Sequence, residues 1–108
     1  MLTPDLAIGW IRKATGPLGD FRMPILIRIL RKSGLTFSPY EQTLMIILSR
    51  YKEHVTFWGI NLNIVIRELR ELANALSVNE SQVFEVYNAV SPHDWRQFLP
   101  QLRWKTVK

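Results

Sequence analysis

The stretch from Leu69 to Val86 constrains the fold more than any other part of this chain. Its apolar residues recur at helical spacing before and after Ser77, which predicts two short helices joined by a tight connection. Ala73 is small, so two helices can cross closely at its position. The other apolar residues expected on the inner side of the pair are Leu72, Leu76, Val78, Val83 and Val86.

This order of residues resembles a helix-turn-helix unit, in which two short helices meet at a steep angle. The family usually has glycine at the turn, where this chain has Ser77, a residue with a small steric cost if its φ is positive. The stretch from Ser38 to Leu48 is similar to the opening helix of winged-helix domains in replication-initiation and transcription-regulator proteins. The resemblance covers about residues 38–90, shows no evident wing, and implies DNA binding.

Helix starts are marked by a Ser or Thr followed by proline at Thr3, Ser38 and Ser91, where a side-chain acceptor precedes a residue with a helical φ. Hydrophobic periodicity predicts helices at about 4–15, 24–33, 39–53, 63–76, 80–90 and 92–99, with the third at the centre. We therefore expect an all-α fold, a compact bundle of five to six helices containing the helix-turn-helix, with at most one or two short strands.

Two local predictions accompany this fold. In the first helix, Leu6, Ile8, Trp10 and Ile11 are expected to be largely buried. The segment from His54 to Asn61 is rich in β-branched and aromatic residues, which predicts a short strand or an extended linker before the fourth helix.

Composition favours one domain over residues 1–108, with a basic C-terminal tail at 101–108, because 47% of the 108 residues are hydrophobic. The absence of cysteine excludes disulfides and thiolate metal sites, and a cytoplasmic location is the natural expectation. The N-terminus has no basic leader, and no stretch approaches the roughly 18 apolar residues of a spanning helix. We expect neither secretion nor a membrane partner.

The net charge of +5 is unevenly distributed. Residues 1–36 carry six basic and two acidic residues, a net charge of +4, and residues 94–108 carry four basic residues and one acid, a net charge of +3. Residues 37–93 carry four basic and six acidic residues, a net charge of −2. An anionic partner should therefore meet the two ends. The stripe of Arg28, Arg31 and Lys32 could contact phosphates or could be a solvated helix face.

Enzymatic chemistry is not indicated by any motif. His54 and His93 have neither a cysteine nor a second histidine at metal-binding spacing, and the chain has no glycine-rich phosphate loop and no activated nucleophile. We therefore expect no catalytic activity, no metal, no cofactor and no small-molecule substrate.

The first functional hypothesis is a small helix-turn-helix protein that binds duplex DNA as a regulator or replication accessory, of the kind found in mobile elements. In this interpretation the second helix of the unit contacts base edges or phosphates, and basic side chains supply electrostatic affinity. The expected base or phosphate contacts are Asn79, Ser81, Gln82 and Asn88, and the expected basic contacts are Arg67, Arg70, Arg103, Lys105 and Lys108.

The alternative is a protein-interaction module on the same fold, such as an adaptor, an inhibitor or a homodimerisation domain. The outward positions of the second helix lack Lys and Arg, and Glu80 and Glu85 would repel a duplex. Phe84 lies beside the inward stripe and should be partly exposed, unless Trp95 or Phe98 packs over it. Phe84 and Glu85 are therefore the expected protein contacts.

Overall fold

A computed structural model describes residues 3–35 and 42–99 of the chain. Over those ranges it contains five α-helices and a 3-10 helix, and its only strand-like pairing is an isolated bridge between Thr15 and Phe21. The all-α prediction is therefore confirmed. The elements are α1 (Pro4–Lys13), α2 (Met23–Ser33), α3 (Gln42–Trp58), α4 (Leu62–Leu76), α5 (Glu80–Ala89) and the 3-10 helix (Asp94–Phe98).

The central element is α3, as predicted. It packs against α1, α5 and the 3-10 helix, while α2 packs against α1 and α4, and α4 packs against α5. Residues 43, 44 and 46–51 are all buried, so α3 is covered around its whole circumference over this part of its length. Tyr51 is fully buried and its hydroxyl donates to the Glu68 carboxylate at 2.7 Å. This bond ties α3 to α4, and burial, followed by Glu68, raises the pKa of Tyr51.

Side-chain caps begin α1 and α5, whereas the residues before α2 and the 3-10 helix make no such bond. The Thr3 hydroxyl accepts the N–H of Leu6 at 3.2 Å, and the Asn79 side chain accepts the N–H of Ser81 at 2.9 Å. Near the last element, the Asp94 carboxylate accepts the N–H of Ser91 at 2.8 Å. The helix expected at 92–99 is the shorter 3-10 helix, and the predicted start at Ser38 lies outside the described residues.

The prediction of a strand or extended linker between His54 and Asn61 is wrong, because α3 continues to Trp58. Val55 and Ile60 pack against the core, and this burial outweighs the β propensity of the segment. Gly59 ends the helix with a φ of +63°, and the N–H of Ile60 donates to the carbonyl of Val55 at 3.1 Å. This is the usual glycine-dependent termination of an α-helix.

Leu6 does not join the core. It is 40% exposed, whereas Ile8 and Ile11 are buried and Trp10 is half-buried, so the expected burial of Leu6 is wrong. At ~3.6 residues per turn, Leu6 lies about 140–160° around the helix from Ile8 and Ile11, and α1 has only one buried face.

The connection between α4 and α5 is as short as predicted, running from Ser77 to Asn79. Ser77 has a φ of +56°, and the N–H of Val78 donates to the carbonyl of Ala73 at 3.0 Å. Ala73 and the leucines of the same stripe, Leu72 and Leu76, are buried. Two helices in this order are common to many helical proteins, so the connection alone does not establish a family.

We predict that Leu72→Ala lowers the free energy of unfolding by about 2–5 kcal/mol, because it removes fully buried methyl groups and leaves a cavity. Urea unfolding followed by circular dichroism measures this loss. The matched control is Leu62→Ala in the first turn of the same helix, where the side chain is 69% exposed and the loss should be much smaller. Equal losses would contradict the assignment of Leu72 to the core.

Candidate functional site

Some of the side chains predicted to contact DNA, at the start of α5 and along it, already make hydrogen bonds within the protein. The Asn79 carboxamide oxygen accepts both the N–H and the hydroxyl of Ser81, each at 2.9 Å, so Asn79 caps the helix and Ser81 is bonded to the cap. Gln82 is half-buried, while Ser81 and Asn88 are exposed. The outward side of α5 therefore offers few free polar groups, and the exposed Glu80 and Glu85 make it acidic.

The predicted basic contacts lie outside α5. Arg67 is exposed on α4, and Arg70 is exposed but pairs with Glu80 at 3.4 Å, which offsets its charge. The remaining predicted cations, Arg103, Lys105 and Lys108, lie outside the described residues.

The predicted protein contacts have different surroundings. Phe84 is half-buried and packs against the core, as do Trp95 and Phe98, and Glu85 is exposed. Phe84 therefore presents only part of its ring to a partner, and its role as an anchor stays a prediction.

A more exposed apolar surface surrounds the end of α3, and sequence reasoning missed it. Phe57 is 77% exposed, Trp58 is 44% exposed, and Leu18, from the loop between α1 and α2, is 78% exposed. These three side chains line one open pocket of about 430 Å³. We call Leu18, Phe57, Trp58 and this pocket the elbow surface. The pocket also contains Gly19, Arg50, Glu53, His54, Thr56, Pro92, His93 and Arg96.

A tight hairpin presents Leu18. The N–H of Gly19 donates to the carbonyl of Gly16 at 3.0 Å, and the N–H of Gly16 donates to the carbonyl of Asp20 at 2.8 Å. Pro17 is well suited to the second position of such a turn, and Gly19 takes a φ of +81°. Leu18 is therefore held at the tip, with its side chain in solvent.

Arg50 fastens this hairpin to α3. Its side chain is 7% exposed, and its guanidinium donates to the carbonyl of Gly19 at 2.6 Å. The guanidinium also lies 5.5 Å from the ring centre of Phe21 and 5.6 Å from that of Trp95, at cation–π distance. Burial is the main cause that lowers the pKa of Arg50, opposed by the nearby charge of Glu53.

Glu53 balances the charge on the floor of the pocket. One carboxylate oxygen lies 3.7 Å from Arg50, and the other accepts the Nε–H of Arg96 at 3.1 Å and lies 3.4 Å from the His93 ring. Since two guanidiniums meet one carboxylate, the pocket carries a small positive excess. These ion pairs connect α3 to the 3-10 helix.

His54 makes the second link between α3 and the hairpin. Its Nδ1 accepts the backbone N–H of Phe21 at 3.2 Å, so that nitrogen carries no proton. The ring also stacks on Tyr51, with the ring centres 6.4 Å apart. Burial, followed by the charge of Arg50, lowers the pKa of His54, and Glu68 and Asp20 oppose that shift.

The carboxylate of Glu53 in the pocket is engaged by Arg50 and Arg96. Within residues 3–35 and 42–99 no group of three His, Asp or Glu side chains could hold a metal ion. No helix in those ranges is long and apolar enough to cross a membrane. Exposed aromatic rings beside a preformed hollow are typical of contact surfaces.

Comparison of the chain with protein-family models, with curated proteins and with solved structures gives no match.

We predict that His54 makes the stability of the protein depend on pH. Because folding lowers the pKa of His54, the unfolded chain binds a proton more readily than the folded one. The contribution of neutral His54 to stability is therefore fully present above pH 6.5, the ordinary pKa of histidine, and is lost as the pH falls through the pKa of the folded state. His54→Gln should lose less stability than the wild type between about pH 7.5 and pH 5, because an amide oxygen accepts the Phe21 N–H without titrating.

The measurement is the free energy of unfolding in urea at each pH. The matched control is His93→Gln, which removes an exposed imidazole and should retain the wild-type acid loss. If acidification lowers the free energy of unfolding of His54→Gln as much as that of the wild type, His54 is not the titrating group.

Proposed function

We propose that this chain is a protein-interaction module whose contact surface is the elbow surface. The observation that carries the proposal is the exposure of Leu18, Phe57 and Trp58 around one pocket. Water-exposed apolar side chains that cluster in this way mark interaction sites on small proteins, whereas single exposed ones need no explanation.

The rigidity of the elbow surface supports the same proposal. The hairpin that carries Leu18 is bound to α3 through Arg50 and His54, and the rings of Phe57 and Trp58 meet edge to face with their centres 5.2 Å apart. A surface that is ordered before binding loses less conformational entropy when a partner arrives. Aromatic side chains in such settings are the commonest interface anchors.

The charge of α5 argues against base recognition by that helix. Its outward side carries Glu80 and Glu85 and no cation, and phosphate neutralisation is a major source of affinity for DNA. The resemblance to helix-turn-helix proteins therefore supports a proposal about the fold of α4 and α5 more than one about DNA reading.

Site-specific photo-crosslinking in the cells that produce the protein tests the proposal. With p-benzoylphenylalanine at position 57, we expect a discrete protein adduct, because the ring lies at the centre of the contact. The same amino acid at position 28 of α2 is the control and should give none. An adduct from position 84 and none from position 57 would move the contact to α5.

Nucleic-acid binding is a second candidate, favoured by the surface of α2. Arg28, Arg31 and Lys32 are all exposed, and α2 contains no acidic residue. Arg31 and Lys32 lie in the last helical turn, where cations also stabilise the helix. We propose that this stripe would contact phosphates without reading bases.

For this candidate, affinity for duplex DNA should fall with added salt with a log–log slope near −2.7, since each of three phosphate contacts contributes about −0.9. Changing Arg28, Arg31 and Lys32 to Gln should remove that slope. The matched control changes Arg12 and Lys13 of α1 to Gln. Absence of binding at about 50 mM salt, where such contacts are strong, would exclude the candidate.

A further inference from the structure

We infer that the partner of the elbow surface is a second copy of this chain, with Phe57 of each subunit seated in the pocket of the other. This inference rests on the proposed function and names its partner. A two-fold dimer requires one patch that is complementary to itself, so that each residue contact occurs twice. The elbow surface has that property, because a projecting ring lies beside a hollow on the same face.

The size of the pocket fits the ring. A cavity of about 150 Å³ in a protein can hold a benzene molecule. The pocket beside Phe57 is about 430 Å³, and its walls include Leu18 and Pro92. It therefore has room for the phenyl group of a partner's Phe57 together with part of a neighbouring side chain.

The apolar area is also of the right order. Leu18, Phe57 and Trp58 are the exposed large hydrophobic residues of the elbow surface. Together they offer on the order of 400 Å² per subunit, against roughly 800 Å² on each side of a standard interface. The rim of the pocket supplies further area, so the expected product is a reversible dimer.

The charge of the pocket is small enough to permit a second copy. Glu53 is paired with both Arg50 and Arg96 inside the pocket, which leaves only the small positive excess of one subunit facing that of the other. Two such faces can approach without strong like-charge repulsion. Burying an ion pair that already has its partners also leaves no isolated charge behind.

Sedimentation equilibrium of the full chain over a range of concentrations tests the inference. We expect a monomer–dimer equilibrium in the wild type and a dissociation constant at least about 100-fold higher for Phe57→Ala, because each dimer loses two anchors. The matched control is Leu6→Ala, which removes an exposed leucine of α1 outside the pocket and should leave the dissociation constant unchanged. Phe57 is exposed, so circular dichroism should show the variant folded.

Thiol chemistry separates the failure of this inference from failure of the proposed function. The chain contains no cysteine, so Phe57→Cys introduces a single reactive thiol. If the wild type is a monomer and the thiol of Phe57→Cys is alkylated rapidly, the dimer is overturned and the surface is free for a different protein. A monomer with slow alkylation would mean that the chain covers this surface itself, which would overturn both proposals. A dimer unaffected by Phe57→Ala would place the dimer contact elsewhere and overturn the inference.

Discussion

Burial of the Arg50 guanidinium is the constraint on which the arrangement at the end of α3 depends. A charged group inside a protein must be paired and hydrogen-bonded, because otherwise its desolvation is very costly. The hairpin supplies the Gly19 carbonyl, which accepts a hydrogen bond from Arg50, and the ring of Phe21, which lies at cation–π distance. Helix α3 supplies the Glu53 carboxylate, and the 3-10 helix supplies the ring of Trp95. One side chain therefore fixes three segments relative to one another, and the elbow surface is formed where they meet.

The parts of the fold that were predictable are those encoded by neighbouring residues. Thr3 and Asn79 cap helices through bonds to residues two or three positions away, so a short motif contains the whole interaction. The burial of Leu72 and Leu76 follows from a periodicity visible within α4. The central position of α3 was predictable in the same way, because apolar residues cover most of its circumference.

The elbow surface was not predictable, because contacts distant in sequence create it. Arg50 meets a carbonyl 31 residues earlier, and His54 meets an N–H 33 residues earlier. The helical state of Phe57 and Trp58 depends on packing of Val55 against the core, which local β propensity does not reveal. Gly59 was the available signal, since glycine commonly follows the last residue of a helix and so was consistent with a longer α3.

The two candidate functions use different surfaces, so they are compatible. None of the three cations of α2 lines the pocket beside Phe57, and all three are exposed. Two weak phosphate-contacting stripes held in one assembly bind a long polyanion far more tightly than either alone, because the second contact becomes intramolecular. Dimerisation would thus supply affinity that three cations on a single helix lack, without any base-reading role for the acidic face of α5.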